Sequence, residues 1–131
     1  MSESGAAPAS ILVVDDDAGV AGLIFELLAG EDYSVQRAIN GREALKMVQD
    51  RLPDLIITDL VMPEVDGLEF IAALRRIDMR MPIIAISGGG LVDKRTYLSL
   101  AGKMGANAIL AKPFANDDLV RKVGELLHAH N

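Results

Sequence analysis

Ile56-Ile57-Thr58-Asp59-Leu60-Val61-Met62-Pro63 is the stretch that decides the fold: an apolar run that stops at a carboxylate and then turns at a proline. A strand that is apolar on both faces belongs in the buried centre of a parallel sheet. Open α/β folds place their ligands at the carboxyl edge of such a sheet. Asp59 is therefore expected to be a solvent-accessible carboxylate on a rigid post. Two other stretches end in the same manner, Ile11 to Asp15 and Ile109 to Lys112, and all three ends are expected to converge.

Outward from that strand, short apolar runs alternate with helical periodicities from Ile11 onward, the pattern of βαβ units and a parallel sheet. Strand one is Ile11 to Val14, followed by Asp15-Asp16-Asp17. The first helix carries Val20, Leu23, Ile24, Leu27 and Leu28 on one face and can end at Gly30. Strand two, about Ser34 to Ile39, alternates Val35, Arg37 and Ile39 with small or polar neighbours, which suits an edge. Asn40 with Glu43 makes a capping box for the second helix, whose inward residues are Ala44, Leu45 and Val48. After Pro63 and the turn Glu64 to Gly67, the third helix presents Leu68, Ile71 and Leu74, and Arg75-Arg76 suit the macrodipole at its end. Strand four is Ile83 to Ile86, closing at Ser87, with Gly88-Gly89-Gly90 as a flexible connection. Asp93 is the expected cap of the fourth helix, with Tyr97, Leu100, Ala101 and Met104 along one side and Gly105 past its end. Strand five, Ala108 to Ala111, closes with Lys112-Pro113-Phe114. The fifth helix starts near Asn116, with Asp117 and Asp118 in its first turn and Leu119, Val123, Leu126 and Leu127 buried. The expected architecture is (βα)5, an α/β fold without repeats.

At 131 residues this is one domain with a single core, read as a flexible tail over 1–9 and a domain over 10–129. Half the residues are apolar and 4% aromatic, and the mean hydropathy is +0.27, as for a globular chain. No apolar run approaches the roughly 18 residues of a membrane span, and Met1 to Pro8 lacks the features of a signal peptide. The lack of cysteine fits a cytoplasmic setting. Thirteen basic against nineteen acidic residues give a net charge of −6, which argues against a nucleic-acid partner.

In a parallel sheet Asp15, Asp16, Asp59, Ser87 and Lys112 all fall at carboxyl ends of strands. Carboxylates crowded within a few ångströms resist ionising without a counter-charge. A hard dication held by carboxylates, a backbone carbonyl and water is the usual remedy, and Mg²⁺ suits such an open oxygen site, with Mn²⁺ as an alternative ion. The plainer reading is that Asp15-Asp16-Asp17 only caps the first helix; three acids after a buried strand exceed what capping needs.

The constellation resembles the receiver domain of two-component response regulators, a flavodoxin-like module with strand order 2-1-3-4-5. The motifs that carry the resemblance are Ile11 to Asp16, Pro53 to Asp59 with Met62-Pro63 and Asp66-Gly67, Ser87, and Ala111 to Phe114. Carried over by position, it implies that Asp59 is the phosphoacceptor. Asp16 and Asp59 would bind Mg²⁺ directly, Asp15 mainly through water, and Val61 through its backbone carbonyl. Lys112 would pair with the acyl phosphate, and the Ser87 hydroxyl would bond a phosphoryl oxygen after transfer. The domain would then catalyse its own phosphorylation from a sensor histidine kinase or histidine phosphotransferase, and slowly its own dephosphorylation. With no output domain after the fifth helix, a stand-alone receiver acting on a downstream protein is expected.

The resemblance departs at Ile109, where the family commonly carries an aromatic residue that swings inward. The switch is therefore expected in Ser87, Gly88, Gly89, Gly90 and the fourth helix, with Ile109 and Tyr97 as further candidates; Tyr97 reads more simply as a packed face. The side chains that often set dephosphorylation rates fall at Val61 and Gly89, neither of which can orient water, so a long-lived phosphate is expected. Two rival readings remain at this level: a haloacid-dehalogenase-like phosphatase using the Asp-x-Asp within Asp15 to Asp17, and a docking module that keeps the fold without the chemistry.

Overall fold

The computed structural model describes residues 8–60, 67–87, 99, 102–112 and 114–130. Five parallel strands form one sheet in the order β2-β1-β3-β4-β5. They are β1 (Ser10–Val14), β2 (Ser34–Ala38), β3 (Leu55–Asp59), β4 (Ile83–Ser87) and β5 (Ala108–Ala111). The connecting helices are α1 (Ala18–Ala29), α2 (Gly41–Asp50) and α3 (Gly67–Ile77), and the last helix runs over Asn116–His130. The order reverses between β1 and β3, the kind of switch point beside which doubly wound sheets open a crevice.

Alternation along the central strands sorts the core into two layers. Leu12, Val14, Ile56, Ile83 and Ala85 face α2 and α3, meeting Ala44, Val48, Phe70, Ile71 and Leu74. Ile11, Val13, Leu55, Ile57, Ile84 and Ile86 face α1 and the last helix, meeting Ile24, Leu28, Leu119, Val123 and Leu127. All five residues of β3 are buried, as its two-sided apolar run requires. β2 is the edge expected from its mixed composition.

Helix ends follow the local chemistry. Asn40 Oδ1 accepts from Glu43 N–H at 2.8 Å, and Glu43 Oε1 accepts from Ile39 N–H at 2.8 Å. The reciprocal cap is thus present, one residue wider than the usual box. Asp117 and Asp118 stand in the first turn of the last helix, where acids offset the helix dipole.

Several side chains differ from the periodicity, Met104 among them, which is exposed. Leu23 on α1 and Ile39 after β2 are exposed, at 41% and 50%, because the helix faces the sheet through Ala21, Ile24 and Leu28 and because β2 ends at Ala38. Phe70 is fully buried under α3, although the sequence pattern was satisfied by Leu68, Ile71 and Leu74. The expected cap at Asp93, Tyr97 and most of the fourth helix lie outside the described residues, as does most of the expected tail; residues 102–104 are helical.

Candidate functional site

Three strands deliver their ends to one point on the carboxyl edge. Asp15 directly follows β1; its N–H donates to Ala38 O at 3.1 Å, and it is 1% exposed. β3 ends at Asp59, in register with Ile86 of β4, and Leu60 N–H donates to Ile86 O at 2.9 Å. Lys112 follows β5 directly, and Ser87 closes β4 opposite Ala111.

The side chains converge as the strand ends predict. Lys112 Nζ lies 3.7 Å from Asp59 Oδ2 and 3.9 Å from Asp15 Oδ2. Asp15, Asp16 and Asp59 each offer a carboxylate oxygen, all within 4.8 Å of one another. Asp16 is the exposed member. Asp59, expected to be solvent-accessible, is only 7% exposed; it sits at the end of a strand covered on both faces.

Burial pushes the Asp15 carboxyl above its ordinary value, and the nearby Asp59 and Asp16 charges push the same way. The Asp17 N–H, donating at 2.9 Å to Asp15 Oδ1, and the Lys112 ammonium oppose that shift. An enclosed carboxyl beside other acids is poised to bind a cation, because ionising it there is otherwise unfavourable. The donor chemistry fits Mg²⁺: hard oxygen ligands at one open edge, with Asp16 facing solvent.

The Asp triplet divides its labour. Asp17 Oδ1 accepts from Gly19 N–H at 2.8 Å and Val20 N–H at 3.2 Å, so Asp17 is the N-cap of α1. The capping reading of the triplet therefore holds for Asp17 alone. This disfavours an Asp-x-Asp phosphatase, whose second acid would have to join the first at the reaction centre. Asp17 is turned to the helix, and the acid that joins Asp15 is its immediate neighbour Asp16.

Two further residues support the site: Gly67, from the Asp66-Gly67 motif, and Arg37, which the sequence pattern did not tie to the site. Gly67, the first residue of α3, donates its N–H to Leu60 O at 3.1 Å, and a Cβ there would stand 2.4 Å from Leu60 Cα. Gly67 therefore lies directly against the backbone of the residue that follows Asp59. Arg37 of β2 donates to the Asp15 carbonyl from Nε at 3.2 Å and from Nη2 at 3.0 Å. The only hint in the sequence was a charged residue in register with Val35 on an otherwise apolar alternation. Ile109 packs against the α2 and α3 core, and its Cδ1 would be 3.5 Å from a Cβ on Gly102. Val61, Gly88, Gly89, Gly90 and Tyr97 lie outside the described residues.

The family model for the response regulator receiver domain matches residues 11–124. Response regulator MprA of Mycolicibacterium vanbaalenii is 38% identical over 121 residues, 92% of this chain and 51% of that protein. Transcriptional regulatory protein PrrA of Mycobacterium tuberculosis is 36% identical over 126 residues, 95% of this chain and 52% of that protein. The chain thus spans about half the length of these curated relatives. Among solved structures, the receiver domain of Francisella response regulator 1452 superposes with a TM-score of 0.85 at 28% identity, covering 94% of this chain and 99% of that one. The receiver domain of NtrX from Brucella abortus gives 0.84 at 28%, covering 90% and 98%. A doubly wound five-stranded sheet, an acid cluster with a lysine at its carboxyl edge and a family match over most of the length agree, and the chain belongs to the receiver domains of response regulators, the phosphorylation-based modules of two-component signalling.

Proposed function

We propose that this chain is a receiver spanning residues 10–129 that accepts a phosphoryl group on Asp59 and signals by binding a protein partner in that state. The observation that carries the reading is the Lys112 ammonium 3.7 Å from Asp59 and 3.9 Å from Asp15, in a cluster that also includes Asp16. In the proposed reaction an Asp59 carboxylate oxygen attacks phosphorus and forms an O–P bond. The P–N bond to a phosphohistidine breaks, and its electron pair stays on the departing imidazole. The product is an aspartyl phosphate. Hydrolysis reverses the state: water attacks phosphorus, the O–P bond breaks, and the carboxylate and inorganic phosphate separate.

Phosphoryl transfer depends mostly on positioning and charge stabilisation. Asp16 and Asp59 would hold Mg²⁺ directly, Asp15 through water, and Val61 by its carbonyl. When bound, the ion supplies positive charge that offsets the charge on the transferring phosphoryl oxygens. Lys112 would pair with the same group, and the Ser87 hydroxyl is assigned to a phosphoryl oxygen after transfer. The added charge of about −1.5 to −2 is the signal.

The proposed donors are a sensor histidine kinase or a histidine phosphotransferase, in the cytoplasm. Among the described residues no helix is long and apolar enough to cross a membrane. A net charge of −6 makes a nucleic-acid contact by this stretch unfavourable, so the output of this domain is assigned to a protein target.

Loading the protein with acetyl phosphate and Mg²⁺, followed by intact mass, tests the reading. The wild type is expected to gain one phosphoryl group and Asp59→Asn none. An acceptor at Asp15 would favour a phosphatase, and no gain at all would leave a docking module.

A further inference from the structure

The carbonyl of Asp15 is the last acceptor on the β2 side of β1. The ladder gives Asp15 N–H to Ala38 O and then stops, because the chain of β2 leaves to cap α2 through Ile39, Asn40 and Glu43. The Arg37 side chain supplies the missing donor, with Nε and Nη2 both on that one oxygen. Hydrogen bonds from a charged fork are roughly twice as strong as neutral ones and hold direction as well as distance. The clamped oxygen belongs to the planar peptide that joins Asp15 to Asp16, so fixing it orients both Cα atoms that bear acidic side chains of the cluster.

We propose that Arg37 is a positioning residue for the acidic site: by clamping the Asp15 carbonyl it sets where the Asp15 and Asp16 carboxylates stand relative to Asp59, and so sets the affinity for a divalent cation. The inference rests on the reading of that cluster as a cation site. Two effects of Arg37 oppose each other, and this gives the assignment a sign. A guanidinium near a cation site repels the ion, so charge alone makes removal of Arg37 strengthen binding. Positioning makes removal weaken it, as loss of outer partners of metal ligands does by about 10- to 100-fold.

Calorimetric titration of the full chain with MgCl₂ reads the difference. Arg37→Ala is expected to bind Mg²⁺ about tenfold more weakly than the wild type. Arg37→Lys keeps the charge but has no planar fork, and is expected to fall between the two. The loss should be recovered kinetically: acetyl phosphate labelling of Arg37→Ala approaches the wild-type rate when Mg²⁺ is raised to saturation. Thermal unfolding without metal reports whether each variant is folded, and should Arg37→Ala not fold, Arg37→Lys decides alone. Unchanged or tighter Mg²⁺ binding in the folded variants overturns the assignment. A wild type that takes up no Mg²⁺, or an Asp59→Asn variant that binds it as well, overturns the cation-site reading and this inference with it. Those outcomes are distinct from a failure of Arg37 alone.

Discussion

Arg75 donates two hydrogen bonds to a single carbonyl, that of Gly105, from Nε at 3.1 Å and Nη2 at 2.7 Å. Its Nη1 reaches Asp78 O at 3.1 Å and Met81 O at 2.7 Å, and Nη2 also reaches Asn107 Oδ1 at 2.8 Å. The same Asn107 oxygen accepts the N–H of Ile83, the first residue of β4. Partial burial lowers the pKa of the guanidinium from its ordinary value. In sequence Arg75 read as a macrodipole partner; in the fold it joins the end of α3 to the entries of β4 and β5. Arg75→Ala is expected to cost about 1–3 kcal/mol, since several partly buried acceptors lose a charged donor together. Urea denaturation measures it, and a loss below about 0.5 kcal/mol, the range of ordinary surface changes, would refute the role.

Gly67 faces the backbone of Leu60, and a Cβ built on it would fall 2.4 Å from both Leu60 Cα and Leu60 O. Backbone atoms cannot step aside as a side-chain tip can. Gly67→Ala is expected to destabilise by about 1–3 kcal/mol, the usual range for forced overpacking. It should also slow labelling by acetyl phosphate, because Leu60 adjoins Asp59. A variant with wild-type stability would show that the contact between residue 67 and Leu60 relaxes without strain.

The raised pKa of Asp15 gives the metal-free protein a pH dependence of definite sign. The folded form holds the proton to higher pH than the unfolded form, whose value is near the ordinary 3.8. Stability therefore falls as pH rises from that value through the raised folded pKa. Asp15→Asn is expected to raise the metal-free melting temperature at neutral pH while weakening Mg²⁺ binding. Calorimetric melts with and without Mg²⁺ check both, and a lower metal-free melting temperature would contradict the burial argument.

The positions that would steer a hydrolytic water are Val61 and Gly89. Without a polar side chain at either, the aspartyl phosphate should decay slowly, and Val61→Asn should shorten its life. Loss of label followed by intact mass after removal of acetyl phosphate measures both rates. Rapid decay of the wild type would contradict the expectation.

Much of the site was readable because its residues sit at ends of strands that the apolar runs delimit. Asp15, Asp59 and Lys112 needed only the parallel pattern to be placed on one edge. The enclosure of Asp59, the split of the Asp triplet and the clamp from Arg37 were not readable. The first and last depend on how one element leans on another, Arg37 and Asp15 being far apart in sequence, and the triplet split depends on which carboxylate turns to the N–H groups of Gly19 and Val20.

The order and type of the elements were written in the chain itself, since two-sided apolar runs between helical periodicities admit few arrangements other than a parallel sheet. Only the folded arrangement determined which acid caps a helix, which joins the cluster and which arginine holds it. Those choices turn on distances of a few ångströms, from side chain to neighbouring backbone for the cap and between groups on different strands for the cluster and the clamp. A linear pattern carries no such distances.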